Sequence, residues 1–176
     1  DPTIVFAAFV AGCERVNHGV KSARIAGNSR SILGGGRTAL NLMQRLSGIA
    51  TITAEYVAAV AGTEASVIDT RKTTPGMRSL EKAAVRHGGG SNHRFNLGDA
   101  VLIKDNHLAA IGGSSPIAAA ITAAKLRAPH TSKVEVEVVD LAGVQEALDA
   151  SADIIMLDNM SPDEMRQAVV LVDKHA

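Results

Sequence analysis

Aromatic residues make up 2% of the 176-residue chain, and tryptophan is absent. Single-stranded nucleic acids are held largely by stacking bases on aromatic rings, so that mode of recognition has almost no material here. Cys13 is the only cysteine, which excludes an internal disulfide and a cysteine metal cluster and makes a reducing cytoplasm the expected compartment. Neither sign of charge is in excess, with 18 Lys plus Arg against 18 Asp plus Glu; a nucleic acid or an anionic membrane surface would need a local patch. No apolar run approaches the length of a membrane span. The opening DPTIVFAAFVAGCERV begins with an acid where a signal peptide carries basic residues. The HExxH, GxSxG and Walker-type phosphate-loop motifs are missing too, leaving hydrolytic triads, zinc proteolysis and P-loop chemistry unsupported.

What is present suffices for a globule, because 46% of the residues are hydrophobic. From about residue 65 a β-branched apolar run, a polar or glycine-rich loop and a helical stretch recur, the rhythm of βα units on a parallel sheet. Four strands are predicted: Ala65–Asp69, Asp99–Lys104, Lys133–Val139 and Asp153–Leu157. Helices are predicted from near Met77, from Ser115-Pro116 as N-cap and first turn, and across Ala142–Ala150. A last one follows the capping box Ser161-Pro162-Asp163-Glu164. Upstream, Leu40, Met43, Leu46, Ile49 and Ala50 fall on one face of a long helix between Thr38 and Ala61. Gly34-Gly35-Gly36 reads as a flexible break, placing a boundary between residues 1–36, an arm or remnant of an N-terminal α/β domain, and residues 37–176. Four parallel strands without closing partners leave two open edges, so the fold expected is α/β, a partial open barrel of the TIM-like type.

In such architectures the functional groups lie beyond the carboxyl ends of the strands. The first predicted strand runs into Asp69-Thr70-Arg71-Lys72-Thr73, and the second into Lys104-Asp105-Asn106-His107. The third carries Glu135 and Glu137, the fourth ends in Asp158-Asn159, and the loop Gly88–Arg94 adds His93 and Arg94. Arg71, Lys72, Arg94 and Lys104 suit a ligand with several anionic groups, since guanidinium forks match carboxylates and phosphates while lysine is a compact point charge. The competing reading is solvated loop charges. Glu135 and Glu137 alternate with valines, which puts both on one strand face; burial would demand a cation, a metal or a polyol, and an edge strand facing water would not. Asp158 is either a loop aspartate or, with Glu137, a holder of Mg²⁺ or sugar hydroxyls. His93 and His107 are each either structural hydrogen-bonders or site groups.

The runs RTALNLMQRLSGIAT, DTRKTTPGMRSLEKAAVRHGGGSNHRFNLGDAVLIKDNH, VEVEV and IIMLDN, taken together, closely resemble the quinolinate phosphoribosyltransferase family from Arg37 to the end. The resemblance implies a homodimer or higher oligomer that makes nicotinate mononucleotide, CO₂ and pyrophosphate from quinolinate and phosphoribosyl pyrophosphate with Mg²⁺, in NAD biosynthesis. It implies that Arg71, His93, Arg94 and Lys104 grip the two ring carboxylates, with Arg37 reaching in from the partner subunit. Lys72 would serve the phosphoribosyl donor with Thr70 nearby, and Glu137 and Asp158 would take ribose hydroxyls and Mg²⁺; Lys72, Glu137 and Asp158 are the implied catalytic group. Members of the family carry more N-terminal domain and continue into further strands with a glycine-rich phosphate-binding segment, so the chain reads as a fragment. The rival readings are a paralogous phosphoribosyltransferase on another base and a barrel or dimerisation module without turnover.

Overall fold

Residues 1–173 are described by a computed structural model, and its first elements fall where the sequence is least legible. β1 (Val5–Ala8) and β2 (Ala23–Ala26) pair antiparallel, Val5 opposite Ala26 and Ala8 opposite Ala23. Asn28 then starts α1 (Ser29–Ala59): its side-chain oxygen accepts from the Arg30 and Ser31 amides at 2.9 and 3.4 Å, filling two donors that a helix start leaves bare. The helix begins nine residues before the predicted Thr38 and runs unbroken through Gly34-Gly35-Gly36. The flexible break expected there is therefore absent. The described chain forms two compact units that meet in sequence at Phe95/Asn96. A helical glycine costs roughly 1 kcal/mol against alanine, and a capped helix of 31 residues spreads that cost over many turns.

The first unit continues with α2 (Arg78–His87). Its described residues bury one apolar side chain, Ala84, beside the polar Thr53, Glu81 and Lys82. Charge pairs and hydrogen bonds therefore take over part of the role an apolar core would have. The predicted first strand shrinks to one parallel bridge, Ile68 with Ser91. Its partner segment follows Gly89, at φ +87°, and turns Asn92 away toward Asp69, so no ladder extends. The second glycine run, unlike the first, is tightly packed. A Cβ on Gly88 would stand 2.4 Å from the Ala50 carbonyl oxygen and 2.6 Å from Thr53 Cβ, and one on Gly90 2.9 Å from both Thr53 Cγ2 and Val85 Cγ1.

The second unit holds β3 (Val101–Ile103), α3 (Asp105–Ile111), α4 (Pro116–Arg127), β4 (Val134–Val138), α5 (Leu141–Asp149), β5 (Ile154–Leu157) and α6 (Pro162–Asp173). The sheet is parallel with order β3-β4-β5, and Leu102, Glu135 and Ile154 lie in register across it. It is part of a TIM-like α/β barrel, with three of the four predicted strands. Val134, Val136 and Val138 face α4 and α5 residues such as Ile117, Ile121, Val144 and Ala147 in one apolar cluster. β4 is the central strand, so the water-facing edge reading of Glu135 and Glu137 is overturned; Glu135 is 4% exposed. α3 replaces an expected loop. The Lys104 amide donates to His107 Nδ1 at 2.9 Å, a histidine three residues into the turn doing what a capping glutamate usually does. Ser161 and Glu164 form the predicted capping box, with Ser161 N donating to Glu164 Oε2 at 2.8 Å. Ser115 precedes α4 without a side-chain cap, and Glu146 accepts from the Ala118 amide at 2.9 Å instead.

The two glycine runs predict opposite outcomes for one substitution. Nothing lies within 4 Å of a Cβ built on Gly34, so Gly34→Ala should raise stability by about 0.5–1 kcal/mol. Gly88→Ala should lower it by about 1–3 kcal/mol, because the obstructing atom is backbone. Urea unfolding midpoints of the two variants, read against the parent chain, check both signs.

Candidate functional site

Between Asp69 and Phe95 the first unit carries six Lys and Arg residues against two acids. The acids do not sit among the loop cations as random neighbours; each is built into the frame. Asp69 receives the ammonium of Lys82, the side-chain amide of Asn92 at 2.5 Å and the backbone N–H of His93 at 2.9 Å. Lys82 donates a second time, to the His93 carbonyl at 3.0 Å. Arg86 in turn holds Asn92 by its side-chain oxygen. Glu81 accepts from Arg45 Nε at 2.8 Å and from the Thr74 amide at 3.1 Å, so it ties α1 and the turn after Lys72 to α2. Burial pushes the Glu81 carboxyl up, and the bonds from Arg45 and Thr74 more than offset that, leaving it below its ordinary 4.5.

Arg78 completes the brace. Its guanidinium donates to Thr73 Oγ1 at 3.1 Å, to the Phe95 carbonyl at 3.2 Å and to the Arg71 carbonyl at 3.5 Å. Arg78, Lys82 and Arg86 are spaced four apart, so one face of α2 carries three cations that all end on the two basic loops. Arg71, His93 and Arg94 are half-buried on these loops, while Thr70 and Lys72 are exposed. Thr70 Oγ1 accepts from the Lys72 amide at 3.1 Å and shapes the turn that presents Lys72. Arg71 Nε is buried and has no hydrogen-bond partner among the described residues. A buried donor left unmade costs about 1–3 kcal/mol, so an acceptor from a ligand would stabilise this arrangement. Arg37 lies apart from these loops in the chain, exposed on α1.

In the second unit an open cleft of about 390 Å³ lies at the carboxyl ends of the strands, lined by Asp105, Glu137, Asp140, Glu146, Asp158 and Asn159 with Leu108, Ile117 and Gly143. Its character is acidic. Glu137 is paired with Lys104 at 2.5 Å, and only 12% of its side chain is exposed, against 43% for Lys104. Asp158 follows β5, its amide bonded to the Val138 carbonyl at 2.9 Å and its carboxylate accepting from Asn159 at 2.7 Å. Asn159 sits at φ +54°, a left-handed turn that ends the strand and leaves both side chains at the cleft. Glu137 and Asp158 thus line one space, as the sequence suggests. Lys104 and Glu137, assigned by resemblance to different ligands, prove to be bonded to each other. Among the described residues no group of three His, Cys, Asp or Glu side chains converges to hold a metal ion.

Lys82, Asn92, Arg78 and Asp69 are the supporting residues that sequence reasoning passes over. The spacing Arg78, Lys82, Arg86 is a usable signal, because three cations on one helical face need anions or carbonyls opposite them. His107 is structural, bound to the Lys104 amide.

The Glu81 arrangement predicts an acid-side loss of stability. A carboxyl whose value is lowered by folding contributes stability that is complete above about 4.5 and is lost as pH falls through the lower folded value. Between about pH 5.5 and pH 3 the parent should therefore lose more stability than Glu81→Gln. Chemical denaturation of both proteins across that range measures it; parallel curves would count against the pairing.

Comparison with known proteins places the chain. The family described as quinolinate phosphoribosyl transferase, C-terminal domain, matches residues 49–176. The probable nicotinate-nucleotide pyrophosphorylase (carboxylating) of Synechocystis is 46% identical over 98% of this chain and 57% of its own length. The human nicotinate-nucleotide pyrophosphorylase (carboxylating) is 41% identical over 85% of this chain and 50% of its own. Among solved structures, NadC from Streptococcus pyogenes superposes with a TM-score of 0.90 at 47% identity, covering 99% of this chain and 61% of that one. The chain spans about half the length of the curated relatives it matches.

Proposed function

The chain belongs to the family of quinolinate phosphoribosyl transferase C-terminal domains, and from that footing we propose that it serves phosphoribosyl transfer from phosphoribosyl pyrophosphate to quinolinate, with decarboxylation. The products would be nicotinate mononucleotide, CO₂ and pyrophosphate, in NAD biosynthesis. The observation that carries the reading is the buried, unpartnered Nε of Arg71 on a loop rich in cations. That donor asks for an anionic, planar acceptor.

Roles follow unit by unit. Arg71, His93 and Arg94 are assigned to the ring carboxylates, and Lys72 with Thr70 to the phosphoribosyl donor. Lys104 is also assigned to a carboxylate, which would then share or replace its present partner Glu137. Arg37, exposed on α1, is assigned to the site of a second copy, so the working form would be a homodimer or larger homo-oligomer. A cytoplasmic location belongs to the same proposal.

Glu137 and Asp158 are the residues proposed for ribose hydroxyls and Mg²⁺. Their hard oxygens fit that ion, and two carboxylates suffice because Mg²⁺ commonly completes its octahedron with substrate oxygens and water. When bound, the ion would neutralise charge on the departing pyrophosphate. The chain's own contribution is positioning and electrostatics. The cations fix the ring so that its nitrogen faces the anomeric carbon. The carboxylates of the acidic cleft favour positive charge developing on the ribose. After transfer the positive charge on the quaternised ring nitrogen would stabilise the electron pair left on the neighbouring ring carbon as CO₂ leaves, and that carbon would then take up a proton from water, so no covalent nucleophile is needed.

Arg94→Ala should weaken quinolinate binding by roughly tenfold to a hundredfold, the loss of one charge-assisted hydrogen bond, and leave the affinity for phosphoribosyl pyrophosphate within about threefold. Calorimetric titration of the parent and variant with each ligand tests this. Equal losses for both ligands would refute the assignment. Protection of the parent from thermal unfolding by another base, and not by quinolinate, would favour a paralogous transferase.

A further inference from the structure

Lys82 has no part in the chemistry just described, yet at 1% exposure it is the most deeply buried charged side chain among the described residues. Its ammonium meets the Asp69 carboxylate and the His93 carbonyl at 3.0 Å, while Asp69 Oδ1 accepts the His93 N–H at 2.9 Å. One ion pair therefore engages both backbone groups of His93, one partner to each. Asn92, beside it, is held by Asp69 and by the Lys82 carbonyl at 2.9 Å.

Stability alone explains this poorly. Removing two charges from water is costly, and apolar side chains of equal volume often replace a buried pair without loss. An apolar pair here would leave the N–H and C=O of His93 without these partners, in a segment that follows three glycines. The pair is thus suited to hold direction, with bulk secondary. The residues whose direction it sets are His93 and Arg94.

Building on the function proposed above, we infer that Lys82, acting through Asp69, is a positioning residue that makes the site selective for two adjacent carboxylates over one. A dicarboxylate must meet cationic groups at a fixed separation, whereas a monocarboxylate needs only one of them. Loosening the His93 backbone therefore penalises the dicarboxylate most, and the phosphoribosyl donor, assigned to Lys72 and Thr70, least.

The test titrates quinolinate, nicotinate and phosphoribosyl pyrophosphate into the parent chain and into Lys82→Met, each protein held equally far below its own unfolding midpoint. The parent should prefer quinolinate to nicotinate. Lys82→Met should lower that preference about tenfold and change phosphoribosyl pyrophosphate affinity by less than about threefold. Asp69→Asn, which keeps an acceptor for the His93 N–H and gives up the charge, should fall between. A folded Lys82→Met with its preference intact overturns the inference and leaves the functional reading standing, whereas a parent without preference overturns both. If Lys82→Met does not fold, Asn92→Ala is judged by the same ratio. Hydrogen exchange in the parent supplies a readout free of any variant: protection of the His93 amide supports the clamp, and exchange at the unprotected rate overturns it.

Discussion

Burying Asp69 beside Lys82 takes both charges out of water, and the attraction between them offsets that cost only where the remaining hydrogen-bonding capacity is also filled. Here Asp69 accepts from Asn92 and the His93 amide as well as from Lys82, and Lys82 reaches the His93 carbonyl. The first unit has little apolar packing to hold its loops, since Ala84 is the one apolar side chain its described residues bury. Its geometry therefore depends on directional bonds. Directional bonds tolerate less drift than apolar packing, so the loops that carry Arg71, His93 and Arg94 are tied at set points of their backbone.

The two units divide charge unequally although the whole chain is neutral. Cations dominate the loops between Asp69 and Phe95, and carboxylates dominate the cleft at the ends of β3, β4 and β5. The transfer proposed for the chain would call on both characters: donors for carboxylates and phosphates, and acceptors for hydroxyls, a divalent cation or a carbon that becomes electron-poor. The Lys104–Glu137 pair brings the two characters together at a residue that lines the second unit's cleft. Each screens the other until a ligand competes for one of them.

β3, β4 and β5 were legible because valine and isoleucine recur there between polar or glycine-rich loops, and each lies inside the predicted bounds. The capping box of α6 was legible for a similarly local reason. Local reading misjudged Gly34-Gly35-Gly36, where a distant cap and a long helix outweigh the weak propensity of three residues. It also missed α3, whose start rests on a histidine ring in place of an acidic cap, and the hairpin β1–β2, whose strands are four residues each. In the candidate site the basic loops that carry Arg71, Lys72 and Arg94 were legible from their place between predicted strands. Lys82 was not, because a helical lysine ordinarily points to water, and only the fold shows that this one points inward.

The face of α2 that carries Arg78, Lys82 and Arg86 explains how so many cations coexist without a bound anion. Residues four apart on a helix are separated by about 6 Å along the axis, so each cation addresses a different stretch of loop. Arg78 spans three acceptors with a planar fork, at the point where the two loops are held by their carbonyls. Lys82, in the middle and fully enclosed, is a point donor with two partners. Arg86, at the exposed end, needs only the Asn92 amide oxygen. Five of these six acceptors are neutral oxygens, so most of the positive charge on α2 is solvated locally and is not cancelled. The loops above it are consequently ordered and remain electropositive, and Asp69 is the single carboxylate spent within that stripe.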